Sequence, residues 1–267
     1  MTRNIIMLGT GSALPVSNYH ACYIVRTNSF TLLSDAGGGN GILYNLNAAG
    51  IAPTEITHLI LSHAHTDHIF GAVWLIRVLI NSYFNGSKVN RVRVYANQQT
   101  ANALIEICRL TFLESYFSEI DTVIDLHIIN PPETDKIEDC KIRFFDVGSE
   151  NVCQMGFRLS FADGTTFVSL GDEALTDRNL NEASGADYLI CGAFCRYADR
   201  DTFKPYEKHH FTVKDVAINA AKAKVKNLIL YHSEDKTVDK TNKYHAEAAE
   251  FYNGNAIIPN DLDIISF

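Results

Sequence analysis

One stretch limits what this chain can fold into more than any other: Ser62-His63-Ala64-His65-Thr66-Asp67-His68. Three imidazoles and a carboxylate within six residues are costly to bury unless something they share holds them. Ahead of them, residues 56–62 form an apolar, β-rich run short enough for a buried strand. Behind them, Ile69, Val73, Ile76, Leu79, Ile80 and Tyr83 repeat with a helical period that Asn85-Gly86 ends. The spacing therefore predicts a helix over 69–84. A strand-to-helix turn lets alternating side chains converge, and the helix start aims its free N–H groups at the same place. Imidazole nitrogen and carboxylate oxygen suit Zn²⁺, with Mn²⁺ and Fe²⁺ as alternatives; a solvated histidine-rich turn is the rival reading. Six residues cannot complete two metal sites, so partners are sought at distant strand ends. Asp172 follows the apolar run 166–170 through Gly171, and His232 follows the run 228–231.

The rest of the chain can supply such strands. Of its 267 residues 46% are hydrophobic and 20% charged, enough apolar material for a sizeable core. Strands are expected at 4–8, 21–26, 30–34, 91–95, 123–129, 140–146, 155–162, 165–170, 187–190, 225–231 and 263–266. Helices are expected at 41–49, 98–117, 212–224 and 243–252, the third capped by Thr212 with Asp215 in its first turn. Strands lead each half and helices alternate with them later, which predicts an α/β fold of two mixed sheets with helices outside, as one domain over 1–267. No run approaches the roughly 18 apolar residues of a membrane span. The first fifteen residues lack the pattern of a secretion signal. Six cysteines without a paired CxxC spacing read as free thiols of a reducing cytoplasm, Cys191 and Cys195 included. A net charge of −8 disfavours a surface that attracts nucleic acid throughout.

Motif by motif, the chain resembles the metallo-β-lactamase superfamily and, within it, the ribonuclease Z-like branch. The resemblance begins at Leu8-Gly-Thr-Gly-Ser-Ala-Leu-Pro15 and Leu33-Ser-Asp35-Ala-Gly37 and continues through the His63–His68 cluster into His68-Ile-Phe-Gly71. Met155-Gly-Phe-Arg-Leu159, Gly171-Asp172, Ala186-Asp-Tyr-Leu-Ile190 and the stretch from His209-His-Phe-Thr to His232 complete it. It implies a four-layer αββα sandwich and two divalent metals, zinc foremost. His63 and His65 would hold the first ion and Asp67, His68 and His232 the second, with Asp172 bridging and Asp35 holding the loop from behind. Asp67 would also orient the attacking water. His210 would protonate the leaving oxygen, with adjacent His209 as its rival. Phosphodiester hydrolysis follows, of RNA or of a smaller substrate, together with a homodimeric state and no membrane partner.

Two positions depart from the resembled pattern. A metal-binding histidine is expected several residues before Gly156-Phe157, yet 146–155 contains none; the vacancy falls at Gly148, Ser149 or Glu150. Glu150 and Cys153 are candidate substitutes; otherwise the first ion rests on His63, His65 and Asp172 and binds more weakly. A glutamate that would pair with His210 is replaced by Gly192. No Gly/Pro- and Lys-rich arm for gripping tRNA interrupts residues 85–205. The basic stretches 88–93 and 222–226 read as solvated faces. Hydrolysis of a lactone or thioester, and a catalytically impaired metal-binding protein, are the competing functions.

Overall fold

The computed structural model describes residues 3–267, which fall into two compact units. The first comprises residues 3–9, 19–130 and 261–267. Its elements are β1 (Asn4–Gly9), β2 (Cys22–Arg26), β3 (Thr31–Ser34), α1 (Gly41–Ala48), β4 (His58–Leu61), α2 (Thr66–Phe84) and β5 (Val92–Ala96). After these come α3 (Gln98–Thr111), α4 (Glu114–Phe117), α5 (Ile120–Val123) and β6 (Ile124–Ile128). The second unit runs through β7 (Glu133–Ile137), β8 (Cys140–Asp146), β9 (Met155–Ser160), β10 (Thr166–Ser169), α6 (Leu180–Ala183) and β11 (Tyr188–Gly192). It continues with α7 (Arg200–Phe203), α8 (Val213–Lys222), β12 (Asn227–Tyr231), α9 (Lys240–Phe251) and β13 (Asn255–Ile257). The last strand, β14 (Ile264–Ser266), pairs with β1 in the first unit.

Each unit is built on a seven-stranded mixed sheet, in the orders β14-β1-β2-β3-β4-β5-β6 and β13-β12-β11-β10-β9-β8-β7. In the first, β1 to β3 are antiparallel and β3 to β6 parallel. In the second, β7 to β10 are antiparallel and β10 to β13 parallel. β1, β3 and β4 are buried on both faces, which explains why they read as continuous apolar runs rather than alternations. Helices cover one face of each sheet. Leu46 of α1, Ile76 and Leu79 of α2 and Leu104 of α3 join one core; Val216 and Ala220 of α8 with Tyr244 and Ala248 of α9 join the other. Both sheets thus place parallel strands, β3 and β4 in one and β10 and β12 in the other, so that their carboxyl ends feed loops, where open α/β sheets gather ligands.

The structure corrects several boundaries. α2 begins at Thr66, not near Ile69, with His65 at its N-cap, so Asp67 and His68 lie in the first helical turn. The apolar period hid this start, because the first turn is written in ligand chemistry rather than core chemistry. The helix expected over 98–117 breaks at Phe112 and Leu113, both extended, so that α3 and α4 are separate. β7 escapes a reading by hydrophobicity because it is an edge strand of sequence ETDKI with only Ile137 buried. All six cysteines are free, and only Cys153 is exposed. Among the described residues no helix is long and apolar enough to cross a membrane.

Candidate metal centre

In the first unit Asp35, a non-glycine residue held at φ +52°, directly follows β3, and β4 leads into the histidine cluster. Asp35 is 1% exposed, and its carboxylate organises the cluster through three hydrogen bonds. Oδ1 accepts the Ser62 backbone N–H at 2.8 Å, while Oδ2 accepts the Ser62 hydroxyl at 2.7 Å and His68 Nδ1–H at 2.8 Å. A carboxylate only accepts, so the Ser62 proton is committed to Asp35. Ser62 Oγ must then accept from His63 Nδ1, 2.9 Å away. Both buried imidazoles are thereby fixed with the proton on Nδ1 and the lone pair on Nε2, the tautomer a metal needs.

Those lone pairs meet further donors. His63 Nε2 lies 2.9 Å from His65 Nδ1, and His68 Nε2 lies 3.2 Å from Asp67 Oδ2. Bonds of about 2.0–2.1 Å at tetrahedral angles separate neighbouring ligand atoms by about 3.3 Å. The Asp67–His68 spacing therefore fits a shared divalent ion as it stands, while the His63–His65 pair is at hydrogen-bond distance and would open slightly around one. The rings of His63 and His68 are 4.2 Å apart. The donor set, nitrogen-rich with one carboxylate, fits zinc and the other borderline divalent ions.

The second unit contributes a sparser group. Gly171, at φ +63°, turns the chain after β10 and presents Asp172; His232, at φ +51° and 1% exposed, directly follows β12. Left-handed backbone at a non-glycine residue costs free energy, and here it recurs at Asp35 and His232, each directly after a parallel strand. Asp172 Oδ2 and His232 Nε2 are 3.8 Å apart. Of the two adjacent histidines, His210 stands beside His232 with ring centres 5.1 Å apart and stacks on Phe194 at 5.2 Å and 19°. His209 is instead exposed, with Nδ1 3.9 Å from Glu150. Lys208 Nζ approaches the Phe194 ring to 4.8 Å.

One of the two departures from the resembled pattern acquires a physical reason. A Cβ on Gly192 would sit 2.0 Å from the Asp172 carbonyl oxygen, so the backbone that carries Asp172 occupies the space a glutamate side chain would leave from. Gly148 is at φ +78°, where a histidine would be strained. Glu150 is engaged by Arg178 at 2.5 Å, which holds its carboxyl below the usual carboxylate range.

Two polar residues beside Asp172 carry no sequence signal. Glu173 is half-buried, and its desolvation, followed by the neighbouring Asp172 charge, pushes its carboxyl up against the opposing hydrogen bond from Ser149. Gln154, 3% exposed, donates its amide to Asp172 Oδ1. Ser149, Glu173, Arg178, Tyr206, His210 and Phe211 help line a cavity of about 620 Å³ within this unit.

Two seven-stranded mixed sheets flanked by helices, with these histidines and aspartates at parallel strand ends, define a metallo-β-lactamase fold of the ribonuclease Z-like kind. The fold matches that of YhfI from Bacillus subtilis with a TM-score of 0.81 at 18% identity, over 100% of both chains. It matches the short form of human tRNase Z with a TM-score of 0.74 at 19% identity, over 98% of each. Ribonuclease Z of Thermobifida fusca is 27% identical over 302 residues, covering 98% of this chain and 93% of that one. Residues 3–257 match the family described as anti-Pycsar protein Apyc1, and the chain belongs to that family.

Proposed function

We propose that this chain is a metal-dependent hydrolase of phosphodiesters of about nucleotide size, acting as a cytoplasmic homodimer. The ligands in this reading are His63, His65, Asp67, His68, Asp172 and His232. Two divalent ions, zinc first and manganese or iron as alternatives, would lower the pKa of a water toward about 7 and offset charge on the phosphoryl oxygens. Asp67 would orient the attacking water on the side of phosphorus opposite the leaving oxygen, whose bond to phosphorus breaks. His210 donates its proton to that oxygen; stacking on Phe194 fixes the plane from which it does so. The homodimer rests on the family resemblance, and the cytoplasmic setting on the six unpaired cysteines.

The observation that carries this reading is His210 itself, set beside His232 and on the wall of a cavity of about 620 Å³. Small-molecule sites span roughly 300–1,000 Å³, whereas gripping folded RNA takes an extended basic surface. The net charge of −8 and the lack of a basic arm over 85–205 favour the smaller substrate.

Leaving-group dependence is the test. On a 3′,5′-cyclic mononucleotide, whose alkoxide needs a proton, His210→Ala should lower kcat about 10²–10⁴-fold. On bis(4-nitrophenyl) phosphate, whose phenolate leaves unaided, the same variant should lose far less. Equal losses on both would remove His210 as the acid. Faster turnover of a precursor tRNA than of the mononucleotide would overturn the small-substrate reading.

A further inference from the structure

The segment before β9 lacks the histidine expected there, yet it still reaches Asp172. Gln154 immediately precedes β9, is 3% exposed, and sends its amide to Asp172 Oδ1 and, at 3.4 Å, to the Leu170 carbonyl. Both acceptors are oxygens that cannot donate, so the amide is oriented by chemistry: Nε2 faces the carboxylate. The two oxygens of Asp172 are therefore inequivalent. Oδ1 is tied to a neutral donor from β9's leading edge, and Oδ2 is the one on the side of His232, 3.8 Å from its Nε2.

The neutrality of this partner matters. A lysine or arginine in the same place would cancel the carboxylate charge and work against a cation. An amide fixes the rotation of the group and leaves its full charge available. We infer that Gln154 is a positioning residue, which holds Asp172 by Oδ1 so that Oδ2 is the oxygen presented to a divalent ion. The segment that supplies a ligand in the resembled pattern here supplies the restraint on a ligand. This inference rests on Asp172 being a ligand, as proposed above.

Gln154→Met keeps the length of the side chain and removes the donor. Zinc affinity is read by competition with a chromogenic chelator, alongside thermal unfolding of the metal-free protein and the same substitution made on Asp172→Asn. Gln154→Met should weaken zinc by about 10–100-fold, the usual effect of losing a partner behind a ligand, with the metal-free midpoint little changed. On the Asp172→Asn background it should add nothing, because the carboxylate it positions is gone. A lowered metal-free midpoint with unchanged affinity would make Gln154 structural and overturn the inference. If Asp172→Asn weakens zinc and Gln154→Met does not, the inference alone fails. If Asp172→Asn leaves zinc binding intact, the ligand assignment fails with it. Should Gln154→Met not fold, Gln154→Leu serves in the same comparisons.

Discussion

The two units prepare their polar groups in opposite ways. In the first, four potential ligands sit on one turn and one helix start, and a single buried aspartate, through Ser62 and His68, sets the tautomers of two of them. In the second, Asp172, His210 and His232 come from three separate loops, and each has its own support: Gln154, Phe194 and the end of β12. A hub concentrates risk, because one change reaches every ligand wired to it. Distributed supports give graded losses, and they leave room for the pattern to drift, as Gly192 and the vacant histidine position show.

Removing a member of the hub should have the largest effect. His68→Ala deletes a ligand and also strips Asp35 of one of its donors. Hydrolysis should fall by more than about 100-fold, beyond the range for outer partners, and zinc per chain should drop by elemental analysis. A variant that retained both its zinc and its rate would remove the cluster from the chemistry and erase the contrast.

Next comes the attempt to restore the resembled pattern in the second unit. Gly192→Glu places a Cβ against the Asp172 carbonyl oxygen, which is backbone and cannot swing aside. Destabilisation of about 3 kcal/mol, the upper end for overpacking, is expected in urea unfolding, with no gain in turnover. A stable variant with higher kcat would show that the departure is a lost carboxylate rather than a repacked loop.

The same contrast governs what the sequence discloses. The His63–His68 cluster announces itself because its ligands are neighbours in sequence, and Thr212 announces α8 through its cap. Asp172 and His232 have no local signal beyond the end of an apolar run; that marks them as candidates, and the resemblance assigns them as ligands. Gln154 and Glu173 escape altogether, since their role depends on β9 and β10 being paired, a long-range fact. The start of α2 is misread for a related reason: its first turn is spent on ligands, so hydrophobic periodicity begins one turn late. The break at Phe112 falls inside an apolar stretch with neither glycine nor proline to mark it.

Asp35→Asn sharpens the hub argument at intermediate size. An asparagine can still accept from the Ser62 backbone N–H, but its amide cannot accept from His68 Nδ1–H. His68 then favours the other tautomer, with its proton on the nitrogen that should carry the lone pair. Zinc affinity should fall by about 10–100-fold while the fold persists. Because Ser62 also loses an acceptor, His63 should be disturbed in the same variant, visible as a second shifted imidazole in the NMR spectrum of the metal-free protein. A change confined to His68 would mean that the two histidines are supported separately, and the first unit would then resemble the second.

The smallest effect expected is at a support of the second unit that holds no ligand. Thr212 closes a capping box with Asp215: its hydroxyl donates to Oδ2 at 2.6 Å, its backbone N–H donates to the same oxygen at 3.0 Å, and Asp215 N–H reaches back to Oγ1. Tyr206 hydroxyl adds a further bond to that carboxylate at 2.7 Å. The box starts α8 two residues after His210 and so sets where the His210 backbone leaves the loop. Thr212→Ala should cost about 1 kcal/mol, a shift of about 2–4 °C in the thermal midpoint. Thr212→Ser should recover most of it. Zinc affinity should not move in either variant, since no ligand is wired to this cap. If affinity fell together with stability, the supports of the second unit would be coupled, and the distinction between a hub and distributed supports would not survive.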